Sequence, residues 1–247
     1  MPVYNEMGTI EQVIKLVQCA LPEVEKELVV IDDGSKDGTR EWLGKTFSAV
    51  VWESELSGRE APAVPTVCGE DCAVRVIFHE TNRGKGAAIQ TGMKVCTGEI
   101  MVIQDADLEY DPSDWQIMYD LIAIRNIADV VYGSRFYGKP HRSLYYHHYI
   151  GNRLISRIYN VLFDQMLTDI EVCYKMFSRA VLQSLAITCN DFGFEIQISA
   201  QIARARRWRI YEVPIHYYGR TYAEGKKVNW TDGVKALCYL IKYRFVI

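Results

Sequence analysis

The chain has 247 residues, a length that suits one large α/β domain or two small ones. Hydrophobic residues make up 49% of it and charged residues 24%, as is typical of a globular protein with a sizeable core. The formal net charge of −3 excludes a general nucleic-acid binder, because neutralising backbone phosphates requires a basic surface.

The first half of the sequence alternates strand patterns with helix patterns. Strands are predicted over residues 28–31, 75–78, 100–103 and 129–132, and helices over 11–18, 39–43, 87–96 and 114–125. Short apolar runs that alternate with helices form parallel strands, so the predicted fold class is α/β, with a mostly parallel central sheet and helices on both faces. Residues 49–73 are rich in Gly, Pro, Glu and Ser and are predicted to form a loop-like insertion.

The second half is less regular. Helices are predicted over 148–163 and 194–207, and a strand over 209–217. Pro214 indicates that this strand lies at an edge or contains a bulge. We expect a single domain over 1–230, followed by a C-terminal amphipathic helix over 231–247. Apolar residues alternate there with lysine and arginine, which fits either a helix on a membrane surface or one packed on the domain.

Cysteine usage and hydropathy bear on the compartment. The seven cysteines show no paired spacing of the kind that binds zinc. Their odd number, without a signal peptide, fits a reducing compartment and predicts a cytoplasmic protein. No segment reaches the ~18 consecutive apolar residues that a membrane-spanning helix needs. Peripheral contact with the cytoplasmic face of a membrane stays open.

An acidic motif follows the predicted strand at 100–103. Asp105 and Asp107 flank one small residue, and Glu109 can add a third carboxylate. Hard oxygen ligands of this kind suit Mg²⁺ or Mn²⁺, which bind through one or two carboxylates plus substrate phosphates. An isolated acidic pair is more often a solvated turn. The buried strand before it and the other motifs favour a metal site here, because ligands bind at the carboxyl ends of such strands.

Two further motifs point to a nucleotide. Asp32-Asp33-Gly34-Ser35 follows another buried strand, where a carboxylate can accept hydrogen bonds from a ribose or a base. The alternative is a turn that caps the next helix. Asn82-Arg83-Gly84-Lys85-Gly86 combines flexible backbone, a cation and a helix N-terminus, all of which favour a phosphate. Its spacing matches neither a Walker A loop nor a Rossmann glycine motif.

Basic residues are scattered through the second half. They include Arg135, Arg153, Arg157, Arg220, Lys226 and Lys227. Arginine side chains match phosphate oxygens in geometry and charge. Taken singly, each of these residues fits a solvated surface charge equally well.

Together, these motifs resemble family 2 glycosyltransferases. The matching segments are Pro2-Val3-Tyr4-Asn5-Glu6, Asp32-Asp33-Gly34-Ser35, Asn82-Arg83-Gly84-Lys85-Gly86, Asp105-Ala106-Asp107-Leu108-Glu109 and Gly133-Ser134-Arg135. They cover roughly residues 1–180 in the order of the family. Within it, the sequence is most similar to the dolichyl-phosphate mannose synthase group and to bacterial polyprenyl-phosphate glycosyltransferases. The resemblance implies a GT-A fold over 1–230, an inverting mechanism and a nucleotide-sugar donor.

The resemblance also implies roles for single residues. The nucleotide pocket would be lined by Pro2, Tyr4, Glu6 and Asp33, with Lys85 and Asp105 on the nucleotide or its ribose. The Mg²⁺ or Mn²⁺ ion would be held on the pyrophosphate by Asp107 and Glu109, with Asp105 beside them. The acceptor phosphate would be bound by Arg135 and Arg153, and a loop carrying Arg220 and Lys227 would close over the substrates. Among these, Asp107, Arg135 and Arg153 are the predicted catalytic residues.

The sequence departs from the family pattern in three places. The apolar strand that normally precedes Pro2 is missing, so we expect either a truncated chain or a sheet that lacks a central strand. Glu171-Val172-Cys173-Tyr174-Lys175 stands where the group often has Ser-Gly-Phe-Arg, which can alter the choice of sugar or acceptor. The transmembrane helices of some bacterial relatives are also missing.

The expected reaction is inverting transfer of a hexose from a GDP-mannose or UDP-glucose type donor to a polyprenyl or dolichyl phosphate. A phosphate acceptor is already an anion, so it needs positioning rather than a general base. The first alternative is a saccharide hydroxyl acceptor, for which Asp169 and Glu195 are the candidate bases. A sugar nucleotidyltransferase and an inactive nucleotide-sugar-binding module are further alternatives.

Overall fold

The structure is a computed structural model that describes residues 1–47, 50–56, 72–138, 140–221, 224 and 230–246. The strands are β1 (Pro2–Val3), β2 (Lys26–Asp32), β3 (Val50–Trp52), β4 (Cys72–Phe78), β5 (Ile100–Val102), β6 (Val130–Ser134), β7 (Lys175–Ser178) and β8 (Ile210–Pro214). The helices are α1 (Ile10–Cys19), α2 (Thr39–Thr46), α3 (Lys85–Val95), α4 (Trp115–Tyr119), α5 (Tyr146–Phe163), α6 (Arg179–Ser184), α7 (Phe194–Ala205) and α8 (Trp230–Phe245). A π-helical turn over Asp120–Ile124 continues α4.

The first four strands form a parallel sheet in the order β1-β2-β4-β3. Successive side chains of a strand point to opposite faces. Accordingly, Leu28 and Val30 of β2 join the core cluster that includes α1. Val29 and Ile31 join a second cluster with Ala88 of α3. Helices therefore cover both faces of this sheet, and the predicted α/β fold class is confirmed.

The second sheet is mixed, in the order β5-β7-β6-β8. Its strand β7 runs antiparallel to both β5 and β6, whereas β8 runs parallel to β6. Strand β7 was not predicted from the sequence. This four-residue strand begins at the fully buried Lys175 and shows neither alternation nor a long apolar run. The predicted strand at 209–217 ends at Pro214 on the sheet edge, and Tyr217 forms an isolated bridge to Tyr110 instead.

The predicted loop over 49–73 is wrong at both of its described ends. Val50–Trp52 forms β3 beside β4, and β4 itself begins at Cys72. Trp52 lies edge-on to Phe78, with ring centroids 5.5 Å apart. Tertiary contacts of this kind override local composition. Residues 57–71 lie outside the described part of the chain.

The first strand, β1, has two residues. Ahead of it, the amino group of Met1 donates to the carbonyl of Val29 at 2.7 Å, and the carbonyl of Met1 accepts from the amide of Ile31 at 2.8 Å. A cavity of about 380 Å³ lies beside this segment and is lined mainly by apolar residues, including those of β2 and β5.

The C-terminal helix α8 is part of the packed structure. It contacts α5 and α7 and buries Ala236, Leu240 and Tyr243. Its other face is exposed at Val234 and Ile241. Among the described residues, no helix combines the length and the apolar character needed to span a bilayer.

Candidate active site

One cavity of about 840 Å³ opens where β1, β2, β5 and β6 end. Of the residues singled out in the sequence, its walls include Pro2, Tyr4, Glu6, Asp33, Lys85, Asp105, Asp107, Glu109, Arg135 and Arg220. Arg153 is described but does not line this cavity, and Lys227 lies outside the described residues. Motifs that are far apart in the sequence therefore meet at the strand ends, as ligand sites of open α/β sheets do.

Lys85 and Asp105 form a partly buried ion pair in this cavity. Nζ of Lys85 lies 2.8 Å from Oδ1 of Asp105 and 3.5 Å from Oε1 of Glu195. Burial alone would raise the pKa of Asp105, but the ammonium of Lys85 holds that pKa below its ordinary value. The same carboxylate raises the pKa of Lys85, against the effect of burial. Lys85 is thus a fixed cation at the start of α3.

Arg220 forms ion pairs with three further carboxylates of the cavity. Its guanidinium lies 2.6 Å from Oδ2 of Asp107, 3.3 Å from Oε2 of Glu6 and 3.4 Å from Oε1 of Glu109. Burial, then the neighbouring carboxylates of Asp105 and Glu109, raises the pKa of Asp107 to about 7, and Arg220 opposes that rise. Acidic side chains outnumber basic ones here, so this end of the cavity favours a cation.

The same carboxylates fit a divalent metal. All are hard oxygen donors, the class that Mg²⁺ and Mn²⁺ prefer. Asp107 and Glu109 are neighbours on one turn, since the amide of Glu109 donates to Oδ1 of Asp107 at 3.1 Å. Across the described residues no group of three His, Cys, Asp or Glu side chains is arranged as a complete metal site. Mg²⁺ does not require one, because substrate phosphates and water complete its shell.

Asp33 holds the glycine-rich loop in place. Its carboxylate accepts from the amides of Arg83 at 3.0 Å and Gly84 at 2.8 Å, and lies 2.7 Å from Nδ1 of His79. The loop leads into α3 with its N-terminus at the cavity, an arrangement that favours an anion. A Cβ at Gly86 would collide with the backbone of residues 189–191, so close packing requires glycine there. Asp33 therefore positions the loop as well as lining the cavity.

A second part of the cavity wall, which forms its other end, is built around Arg135, whose guanidinium lies 5.3 Å from the ring of Tyr217. Its Nε and Nη2 atoms donate to the two carboxylate oxygens of Asp169 at 2.6 and 2.7 Å. Asp169 is fully buried, so it acts to orient the guanidinium rather than to accept a proton from a substrate. Arg153, on α5, donates from Nη1 to the carbonyl of Thr168 at 3.2 Å, next to this pair. Glu195, the other candidate base, faces Lys85.

Three residues that the sequence analysis did not assign to the site also line the cavity. Tyr217 donates from its hydroxyl to Oε2 of Glu109 at 3.0 Å. Burial, followed by the Asp105 carboxylate, raises the pKa of the Cys173 thiol. Burial, with a further contribution from Glu195, raises the pKa of Glu171 to about 7. Of these three residues, only Glu171 and Cys173 could have been found from the sequence, because they lie in a segment that departs from the family pattern.

The sheets and the cavity at their strand ends define a GT-A nucleotide-sugar transferase fold. Glucosyl-3-phosphoglycerate synthase of Mycobacterium tuberculosis, solved with Mn²⁺, uridine diphosphate and glucosyl-3-phosphoglycerate, is a similar structure, with a TM-score of 0.67 and 20% identity. That alignment covers 100% of this chain and 78% of the other. The chain belongs to glycosyl transferase family 2, whose model matches residues 1–186.

Two of the curated relatives carry the names of polyprenyl-phosphate mannosyltransferases. The chain is 27% identical over 232 residues to a dolichol-phosphate mannosyltransferase of Pyrococcus furiosus, covering 91% of this chain but 57% of that protein. It is 28% identical over 235 residues to an undecaprenyl-phosphate mannosyltransferase of Micrococcus luteus, covering 91% of this chain and 84% of that protein. The chain thus spans little more than half of the Pyrococcus protein. Family membership favours glycosyl transfer over the nucleotidyltransferase alternative.

Proposed function

We propose that this protein transfers a hexose, with inversion, from a GDP-mannose or UDP-glucose type donor to a polyprenyl or dolichyl phosphate. The observation that carries the proposal is that one cavity has two differently charged ends. At one end, carboxylates form ion pairs with cationic side chains. At the other, the buried carboxylate of Asp169 orients Arg135. The first end suits the metal and diphosphate of a donor, and the second suits an acceptor phosphate. The names of the Pyrococcus and Micrococcus relatives support this acceptor class.

At the donor end, Asp107 and Glu109 would hold Mg²⁺ or Mn²⁺, with Asp105 beside them. The ion, when bound, would offset the charge that develops on the leaving nucleoside diphosphate. Lys85 and the N-terminus of α3 would bind the diphosphate by charge and backbone amides. Pro2, Tyr4, Glu6 and Asp33 line the rest of this end and would hold the nucleoside. Arg220, with the neighbouring Lys227, would fold over the bound donor.

At the acceptor end, Arg135 would place the lipid phosphate for in-line attack on the anomeric carbon, with Arg153 behind it. The phosphate oxygen is the nucleophile and is already ionised, so no base has to remove a proton. This agrees with the engagement of Asp169 by Arg135 and of Glu195 by Lys85. Attack forms the new carbon–oxygen bond as the bond to the nucleoside diphosphate breaks.

One observation favours a hydroxyl acceptor as the second candidate. Glu171 lines the cavity, and its pKa is raised to about 7, the range in which a carboxylate can act as a general base. A saccharide hydroxyl close to Glu171 could then be deprotonated as it attacks. The two candidates share the donor end and differ only in the acceptor.

The test is release of nucleoside diphosphate from a panel of GDP- and UDP-sugars, with Mn²⁺ or Mg²⁺, and with either a short polyprenyl phosphate or a saccharide. We expect release that requires both metal and the lipid phosphate. Glycosylation of the saccharide alone would replace the first candidate by the second. Release of pyrophosphate from a nucleoside triphosphate and a sugar phosphate would contradict both.

A further inference from the structure

Helix α5 carries an apolar face toward the solvent. Tyr146, Ile150, Leu154 and Val161 are exposed by 75%, 45%, 50% and 85%. Their spacing places them on one side of the helix. The opposite side is buried, with Ile155, Tyr159 and Phe163 in the core. A helix that already packs one apolar face on the core and presents a second to solvent is typical of an interaction surface.

Helix α8 repeats the arrangement. Val234, Ile241 and Phe245 are exposed. Spacings of seven and four residues align them along one side of the helix. Lys235 and Lys242 are also exposed and flank this row. The row thus combines apolar side chains with basic ones at its border.

The two helices lie side by side in the same direction. Their N-terminal halves line the same cavity, for example through Asn152 of α5 and Ala236 of α8. Near their C-terminal ends, Nε of Arg244 donates to the carbonyl of Leu162 at 2.8 Å. Both also contact α7. Because their buried faces pack on the same helix, their exposed faces lie on the same side of the molecule.

Charge is distributed unevenly between this helix pair and the rest of the chain. The sequence of α5 contains Arg153 and Arg157 and no acidic residue. The sequence of α8 contains Lys235, Lys242 and Arg244 against the single acidic residue Asp232. The whole chain has a net charge of −3, so a positive helix pair stands out from an acidic remainder. An apolar face bordered by lysine and arginine is complementary to an anionic lipid bilayer.

We propose that the exposed faces of α5 and α8 form one membrane-binding surface for a bilayer that contains anionic lipid. Residues in the N-terminal halves of both helices line the cavity, so docking would bring this part of the cavity close to the headgroups. This orientation rests on the proposed function, in which the acceptor is a polyprenyl phosphate that enters without leaving the bilayer. The binding itself does not depend on turnover.

Flotation of the full chain with vesicles tests the surface directly. We expect binding to vesicles of phosphatidylcholine with phosphatidylglycerol, and much weaker binding to phosphatidylcholine alone or at about 0.5 M salt. A triple variant with Ile150→Ser, Leu154→Ser and Val161→Ser should bind at least about tenfold more weakly. Ile124→Ser is the matched control, since Ile124 is 68% exposed outside α5 and α8. It should bind like the unmodified protein.

Charge reversal supplies a second variant. Arg157→Glu with Lys242→Glu should reduce binding to the anionic vesicles by at least about thirtyfold, which corresponds to about 1 kcal/mol for each of the two basic residues near the surface. Circular dichroism melts confirm that each variant is folded. Equal binding by all variants, or no binding by the unmodified protein, would overturn the proposal. A dimer that the triple variant dissociates would instead assign the surface to a second copy of the chain.

The same variants separate this surface from the proposed function. With a short, water-soluble polyprenyl phosphate, the triple variant should release nucleoside diphosphate at the unmodified rate. With a long polyprenyl phosphate in anionic vesicles, its rate should fall about tenfold, in step with binding. If vesicle binding is as expected but no lipid phosphate is ever glycosylated, the surface stands and the acceptor assignment fails.

Discussion

The donor end and the acceptor end of the cavity are built differently. At the donor end, carboxylates at the ends of parallel strands meet Lys85 and Arg220 in direct ion pairs, within 2.8 Å for Asp105 and 2.6 Å for Asp107. At the acceptor end, one buried pair, Arg135 with Asp169, lies beside helices with exposed apolar faces. In the proposed reaction, side chains at the sheet edges would therefore fix the charges that bind the diphosphate, whereas helices would shape the entry of the acceptor.

Replacing Asp107 should produce the largest change. Asp107→Ala removes a carboxylate that would bind the metal and leaves Arg220 without its closest partner. We expect kcat to fall about a hundredfold or more for every donor and acceptor, because stabilisation of the leaving group is lost. Mn²⁺ binding, followed by electron paramagnetic resonance, should weaken in parallel.

The matched control is Asp120→Ala, which removes a carboxylate that pairs with Arg125 at 3.9 Å, outside the cavity. Its kcat and Mn²⁺ binding should be unchanged. An Asp107→Ala enzyme with normal metal binding would show that the donor end works through other ligands.

A methyl group added at Gly86, in the first turn of α3, should strain the donor end. Gly86→Ala places a Cβ against the backbone of residues 189–191, which cannot move as a side chain can. We expect a loss of about 1–3 kcal/mol in the free energy of unfolding, or about 2–12 °C in Tm. Thermal unfolding followed by circular dichroism gives the value.

Gly92→Ala is the matched substitution on the same helix. A Cβ there meets only Cγ1 of Ile31 at 3.7 Å, an ordinary contact. Since alanine favours a helix over glycine, this variant should be more stable by up to about 1 kcal/mol. Equal melting temperatures for the two variants would mean that the loop adapts to the added methyl.

The difference between the two ends also explains which site residues could be predicted from the sequence. Asp33, Lys85, Asp105 and Asp107 were identified because each lies in a short contiguous motif directly after a strand or before a helix. Tyr217 reaches Glu109 from a segment more than a hundred residues away, through packing that no local pattern records.

The errors in the predicted fold also come from contacts between distant parts of the chain. The strands β3 and β7 have three and four residues and depend on pairing with β4, β5 and β6. Strands this short carry no periodicity of their own. The longer parallel strand β2, by contrast, followed from its apolar run and its alternation with α1 and α2.

Substitution of Arg135 tests the acceptor end alone. Arg135→Lys keeps the charge but cannot donate to both oxygens of Asp169. We expect KM for the lipid phosphate to rise about tenfold, which corresponds to the loss of one charge-assisted hydrogen bond. KM for the nucleotide sugar should stay unchanged in steady-state kinetics. A matching rise in both constants would show that the two ends are not independent.

The smallest effect concerns Glu171 and the pH dependence of stability. Burial, followed by the Glu195 carboxylate, raises the pKa of Glu171 from 4.5 to about 7. The folded state therefore holds this proton more tightly than the unfolded state does. The resulting stability is fully present below about pH 4.5 and is lost as pH rises toward 7. Glu171→Gln removes this titration.

We expect Glu171→Gln to be more stable than the unmodified protein above pH 7, by of the order of 1 kcal/mol, and to differ little below pH 4.5. Melting temperatures of both proteins from pH 4 to 8 measure the difference. Glu41→Gln, at an exposed site on α2, is the control for replacing a glutamate by a glutamine. A constant difference across the pH range would show that Glu171 stays ionised in the fold. The acceptor end would then carry a permanent negative charge, and a phosphate acceptor would be disfavoured there relative to a hydroxyl.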